Sequence, residues 1–139
     1  MVQADYLADT SVFSRLSKPL VGAAVSPLVA AARIALCAPV VFELGFSARN
    51  ASDHQAIMSR LGAFEEVPVT AADHARAISI QGQLAKRGWH RALSLVDALV
   101  AAAAEAHGLV ILHYDADFEL VAEITGQPHQ WVAERGIAD

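Results

Sequence analysis

Cysteine is nearly absent. The one thiol among 139 residues, Cys37, can form no internal disulfide, which favours a reducing compartment, and no paired cysteines are available for a structural zinc site. The six histidines, His54, His74, His90, His107, His113 and His129, show no zinc-ligand spacing either. Basic residues are in the minority, 10 Lys and Arg against 15 Asp and Glu, for a formal charge of −5. That balance excludes a broad cationic surface for non-specific duplex binding. No glycine-rich phosphate loop and no Gly-x-Ser-x-Gly elbow occurs. A membrane span needs about 20 apolar residues. The longest uncharged run, Pro19 to Ala32, is shorter, holds two prolines and ends at Arg33. Met1-Val2-Gln3-Ala4-Asp5 shows no basic region leading into an apolar stretch, so no signal peptide is expected. A soluble, cytoplasmic protein is the expectation.

What is present is apolar material, 55% of residues, enough for one core without staples. One domain over residues 1–139 is expected. Short apolar runs alternate with helical patterns. Asp5 to Ala8 predicts a first strand and Thr10 starts a short helix. Pro19 to about Ala32 predicts a helix, with Gly22 and Pro27 acting against its continuity. Ile34 to Ala38 predicts a second strand, and Pro39 opens a helix that carries Glu43 and ends near Asn50. Ser52 to Gly62 is helical and Phe64 to Val69 a third strand. Thr70-Ala71-Ala72-Asp73 reads as a cap for a helix reaching Arg87, with Gly88 at its end. Ser94 to His107 is an alanine-rich helix closed by Gly108. Leu109 to Tyr114 is a continuously apolar strand, the pattern of burial on both faces. Asp117 to Thr125 is a helix stopped by Gly126, and His129 to Val132 adds a last strand. Such alternation implies an α/β fold with a mostly parallel sheet between helical layers.

Four acids stand at informative places in this pattern. Asp9 and Asp115 directly follow strands, Asp97 opens a helix, and Glu43 lies in the first turns after the second strand. In open α/β sheets ligands bind beyond the carboxyl ends of the strands, so all four can reach one crevice. Carboxylates in apolar sequence need compensation, and a divalent cation supplies it for several at once. Each acid also has an ordinary reading. Asp9 can cap a helix, and Ser94-x-x-Asp97 can be a capping box. Asp115 and Asp117 can form a turn and a helix start. Glu43 can be a surface residue, although Val40, Val41, Phe42, Leu44 and Phe46 around it suggest little exposed face. Lys86-Arg87-Gly88-Trp89-His90-Arg91 packs three permanent cations and an aromatic into six residues. That segment reads either as a phosphate-positioning loop ahead of Asp97 or as a solvated helix end. His113 reads as a strand residue rather than a ligand.

At these residues the chain resembles the PIN-domain ribonucleases, and more narrowly the VapC toxins of bacterial toxin–antitoxin pairs. The likeness runs from Leu7-Ala8-Asp9-Thr10-Ser11 and Arg15-Leu16 through Glu43, Gly45 and Ala48-Arg49. It continues through Arg87-Gly88-Trp89-His90-Arg91, Val96-Asp97-Ala98-Leu99-Val100-Ala101-Ala102, Ala106-His107-Gly108 and His113-Tyr114-Asp115-Ala116-Asp117-Phe118 to Trp131-Val132. The resemblance implies a three-layer α/β/α PIN fold and an Mg²⁺-dependent endoribonuclease in which Mn²⁺ can substitute. It implies Asp9, Glu43, Asp97 and Asp115 as catalytic and metal-binding residues, with Asp117 as a further candidate. Thr10 and Ser11 would position the metal shell or phosphate, and Arg87, His90 and Arg91 would bind substrate. It also implies a homodimer, an RNA substrate, an inhibitory VapB-like antitoxin, and contact with DNA only through that antitoxin. Two other readings remain: a PIN-like module that binds RNA or protein without cleaving, and a metal-dependent α/β phosphatase suggested by Asp115-x-Asp117. The phosphatase motif calls for an aspartyl pair after the first strand, where this chain has Asp9-Thr10-Ser11.

Overall fold

In the computed structural model, which describes residues 1–139, five short strands form one sheet: β1 (Tyr6–Ala8), β2 (Ile34–Cys37), β3 (Glu65–Val67), β4 (Val110–His113) and β5 (His129–Trp131). Seven helices accompany them: α1 (Thr10–Phe13), α2 (Pro19–Ala30), α3 (Ala38–Phe46), α4 (Ala51–Leu61), α5 (Ala71–Ala85), α6 (Leu95–His107) and α7 (Asp117–Thr125). The strand order is β3-β2-β1-β4-β5 and all four pairings are parallel. With helices packed over it, the sheet is the middle of a three-layer α/β/α arrangement. All four residues of β2 are buried, as are Ile111, Leu112 and His113 in β4, which a sheet covered on both faces requires. No helix is long and apolar enough to cross a membrane.

The order of strands decides where a site can form. From β1 the chain steps outward through β2 to β3, then returns to place β4 on the other side of β1, with β5 beyond it. The direction therefore reverses between the neighbours β1 and β4, and a crevice opens there at their carboxyl ends. Tyr6, Leu7 and Ala8 are in register with Val110, Ile111 and Leu112, and the Asp9 amide continues the ladder to the Leu112 carbonyl at 2.9 Å. Asp9 and the residues after His113 are thus side by side.

Helix α6 is the central helix. Its residues Ala98 to Ala104 are buried without interruption, because α5, α3, β1 and β4 surround it. Alanine at five of those seven positions permits that close approach. The helix ends at Gly108, whose φ of 65° is the left-handed conformation a Cβ disfavours.

Several boundaries differ from the sequence-based expectation. Pro19 to Ala30 is one helix despite Gly22 and Pro27. The helix carrying Glu43 stops at Phe46, not near Asn50, because Asn50 caps the next helix by accepting the Asp53 amide at 2.8 Å. The helix expected to reach Arg87 ends at Ala85, where the Trp89 amide closes onto the Leu84 carbonyl around Gly88. The third strand is trimmed to Glu65–Val67. Phe42 and Phe46 are exposed, at 76% and 86%, against the expectation of little open surface around Glu43. Helix α3 is apolar on more than one side, and only Val40 of its residues is fully buried.

Candidate metal centre

Three of the four acids meet at the switch point. Asp9, Asp97 and Asp115 each offer a carboxylate oxygen, and these atoms lie within 4.8 Å of one another. Asp9 is the N-cap of α1, Asp97 is at the third position of α6, and Asp115 sits in the turn between β4 and α7. The ordinary readings hold for part of each group. Asp9 Oδ2 accepts the Ser11 amide at 3.0 Å, and Asp115 Oδ1 accepts the Asp117 amide at 2.9 Å. Asp9 Oδ1, however, is buried with no hydrogen-bond partner, and no other buried side-chain nitrogen or oxygen in the chain is so placed. A buried acceptor left unsatisfied costs about 1–3 kcal/mol, more for a charged group.

Glu43 is not in the group of three. It is tied to it through Thr10, whose hydroxyl donates to Glu43 Oε1 at 2.5 Å. Ser11 Oγ accepts the Tyr114 amide at 2.8 Å, which locks the end of β4 to the start of α1 and so fixes Asp9 relative to Asp115. Asp117 is half-buried beside Asp115; its own burial, then the Asp115 charge, raises its pKa. Arg87 does not reach the acids: its guanidinium pairs with Glu123 at 3.1 Å and lies over the Trp89 ring at 5.4 Å. His90 and Arg91 are exposed and make no side-chain hydrogen bond or ion pair.

The electrostatics point the same way. Burial, then the charges of Asp9 and Asp115, push the Asp97 carboxyl up from 3.8 to about 7. Burial also raises Asp9, against the lowering effect of hydrogen bonds from Ser11 and with a further push from Asp115. Three converging carboxylates, one with an orphaned buried oxygen, fit a cation. The donors are all oxygen, which suits Mg²⁺ or Mn²⁺ better than zinc or copper.

Three residues given no part in the site by the sequence have one: His113, which is, as expected, a strand residue and not a ligand, and Arg15 and Arg135. His113 Nδ1 accepts the Asp115 amide at 3.0 Å, which leaves the ring proton on Nε2 to be donated to His129 Nδ1 at 2.8 Å. Burial, then His129, depress its pKa to about 4, so the ring is a neutral anchor for the Asp115 backbone and not a ligand. Arg15 and Arg135 line a cleft that opens beside Asp115. Arg15 stood in the sequence only as part of the family-like Arg15-Leu16 pair, with no role attached, and Arg135 carried no signal.

Residues 6–124 match the PIN domain family model. Ribonuclease VapC51 of Mycobacterium tuberculosis is 49% identical over 134 residues, covering 96% of this chain and 97% of that protein. This chain belongs to the PIN-domain family, in its VapC ribonuclease group. Ribonuclease VapC21 of the same species is 39% identical over 134 residues, again 96% of this chain and 97% of the relative. Among solved structures, a chain of the DNA-bound VapBC of Salmonella typhimurium superposes with a TM-score of 0.75 at 17% identity, covering 94% of this chain and 100% of its own. Mycobacterium tuberculosis VapC20, a toxin that cleaves the sarcin–ricin loop, superposes with a TM-score of 0.61 at 19% identity over 83% of this chain and 93% of its own. At these identities the two structures share its fold. The shared fold accounts for the parallel sheet.

Proposed function

We propose that residues 1–139 act as one PIN domain that hydrolyses RNA phosphodiester bonds, the toxin of a type II toxin–antitoxin pair working in the cytoplasm. The observation that carries the catalytic part is the cluster of Asp9, Asp97 and Asp115 around the unpaired Asp9 Oδ1. Those three side chains would hold Mg²⁺, with Mn²⁺ able to replace it; Glu43 and Asp117 complete the acidic rim. When bound, the cation supplies positive charge that acidifies a water nucleophile and offsets charge on the phosphate and leaving oxygen. The protein's own part is placement. The Ser11 amide holds Asp9, His113 holds the Asp115 backbone, and Thr10 orients Glu43. Arg87 and Arg91 form a cationic rim, with His90 between them as a hydrogen-bonding side chain, on the approach to α6 that can attract the RNA backbone once the Glu123 pair exchanges.

The partner is inferred from the same features. A VapB-like antitoxin would present an amphipathic segment to the exposed apolar side chains and an Arg to the acidic crevice, where its planar fork suits paired carboxylates. Self-association as a homodimer would use the remaining apolar surface, and DNA would be contacted through the antitoxin. The Salmonella relative is a VapBC complex bound to DNA. Incubating purified protein with structured RNA and with p-nitrophenyl phosphate, with and without Mn²⁺, tests the chemistry. Metal-dependent loss of RNA alone supports it; phosphate release from the small ester favours a phosphatase, and binding without cleavage favours a non-catalytic module.

A further inference from the structure

Beside the acids, on the β4–β5 side, a cleft of about 530 Å³ is lined by Ser11, Arg15, Tyr114, Asp115, Trp131 and Arg135, among others. Its volume is within the range of pockets that hold small ligands. Two guanidiniums face it, each laid on an aromatic ring: Arg15 over Tyr114 at 4.7 Å and Arg135 over Trp131 at 5.5 Å. The two rings meet edge to face, with centroids 5.3 Å apart at 86°. The cations are therefore held on a rigid aromatic pair that begins where β4 delivers Asp115.

Arg15 forms no ion pair. Its Nη1 donates to the Ser11 carbonyl at 3.1 Å and to Ser14 Oγ at 3.3 Å, which leaves other guanidinium protons free. Arg135 has a partner, Glu119, at 3.6 Å, but both groups are well exposed and such pairs contribute about 0–1 kcal/mol. A phosphate can replace that carboxylate with little loss. Glu119 would stay in place, because it also accepts the Trp131 indole N–H at 3.1 Å. The outer wall is the segment after Arg135, pinned by the Tyr114 hydroxyl, which accepts the Gly136 and Ala138 amides at 2.8 and 2.9 Å and donates to Asp139 Oδ1 at 2.9 Å. Asp139 is thus already hydrogen-bonded, and Asp115 belongs to the cluster that a cation would neutralise. The free donors left in the cleft are guanidinium protons of Arg15 and Arg135.

We infer that this cleft is the track for the RNA strand, with Arg15 and Arg135 binding a phosphate next to the one being cleaved. The inference rests on the nuclease reading and adds to it the side from which the strand enters. Cations this close to the acids complete the electrostatics of the site: the acids draw a cation to the scissile phosphate, and the arginines take the neighbouring negative charge. Planar guanidinium forks suit phosphate oxygens and impose no base preference, so selectivity must come from elsewhere on the surface.

The test is binding of a fluorescein-labelled single-stranded RNA to the Asp97→Asn protein without divalent cation, followed by anisotropy across a KCl series. Arg15→Gln and Arg135→Gln are each expected to weaken affinity several-fold, and the two together to flatten the slope of log K against log salt by about 0.7, the value for one phosphate contact on a single strand. Arg33→Gln, at the amino ends of β1 and β2 and so at the other end of the strands from the acids, is expected to change neither. Because Arg15 is half-buried, Arg15→Lys is included; it keeps the charge and is expected to retain the slope while losing affinity. Arg135 is exposed, and its variant reports on the cleft even if Arg15→Gln fails to fold. Wild-type affinity and slope in Arg135→Gln would overturn the inference. Cleavage by the unaltered protein with Mn²⁺ is scored separately. Cleavage with unaffected arginine variants removes the cleft and keeps the nuclease; weakened binding without any wild-type cleavage does the reverse.

Discussion

Asp97 and Asp73 occupy the same position, the third residue of a helix, and use it differently. Asp73 completes a capping box, its Oδ2 accepting the Thr70 amide at 2.9 Å while Thr70 Oγ1 accepts its own amide at 3.3 Å. At α6 the first half forms, Ser94 Oγ accepting the Asp97 amide at 3.1 Å, but no return bond of hydrogen-bond geometry completes the box. The Asp97 carboxylate instead faces two others. Asp97→Asn should keep the Ser94 cap and remove a charge that is unfavourable in the metal-free protein. We expect cleavage to fall about 100-fold or more, since several kcal/mol of charge stabilisation are involved and each 1.36 kcal/mol is tenfold. Metal-free stability, measured by urea unfolding, should be unchanged or higher. A variant that cleaves normally would return Asp97 to a capping role. His113→Phe makes a second test at this scale. The new ring keeps packing near Phe118 and Trp131 but cannot accept the Asp115 amide or donate to His129. A loss of about 1–3 kcal/mol is expected in urea unfolding, with weaker Mn²⁺ binding. Unchanged values of both would show that the Asp115 backbone needs no anchor.

Helices and strands were largely legible because local signals and burial agree. The apolar run Leu109 to Tyr114, the cap at Thr70 and the stops at Gly108 and Gly126 all mark real boundaries. Misplaced ends came from capping competition that one chain position cannot reveal: Asn50 is equally readable as the end of α3 or the cap of α4. Three acids were legible through their places after strands or at a helix start. The cation partners were not, because Arg15 and Arg135 reach the cleft only through the packing of α1 and the last segment on β4 and β5. The exposed Phe42 and Phe46 were misread for a related reason: an apolar helix implies burial only if something covers each face, and an open apolar face is the mark of a contact surface. At this scale the left-handed cap of α6 gives a prediction. Gly108→Ala meets no atom within 4 Å, so the cost is conformational, about 1–2 kcal/mol of stability by urea unfolding. Since Asp97 is at the other end of the helix, cleavage by the folded variant should match wild type.

For the whole molecule, the acidic cluster links stability to pH and to metal. The folded Asp97 carboxyl titrates at about 7 against an ordinary 3.8, so between those values the folded state holds more protons than the unfolded chain. Stability from this group is therefore present below about pH 4 and lost as pH rises through 7. His113 acts in the opposite sense: folded at about 4 against an ordinary 6.5, it contributes fully above 6.5 and loses that contribution as pH falls towards 4. The two slopes oppose each other across most of the acidic range, so the informative quantity is a difference between proteins. Asp97→Asn removes one slope and leaves the other. In EDTA the melting temperature of Asp97→Asn minus that of wild type should increase from about pH 4 to about pH 7 and then level off. Mn²⁺ binds the charged carboxylates in competition with protons, so its stabilisation of wild type should grow over the same range and be largest at about pH 8. In Asp97→Asn it should be much reduced at every pH. A wild-type protein whose melting temperature ignored Mn²⁺ at about pH 8 would mean that Asp9, Asp97 and Asp115 share no ion, and the orphaned oxygen of Asp9 would then need another partner.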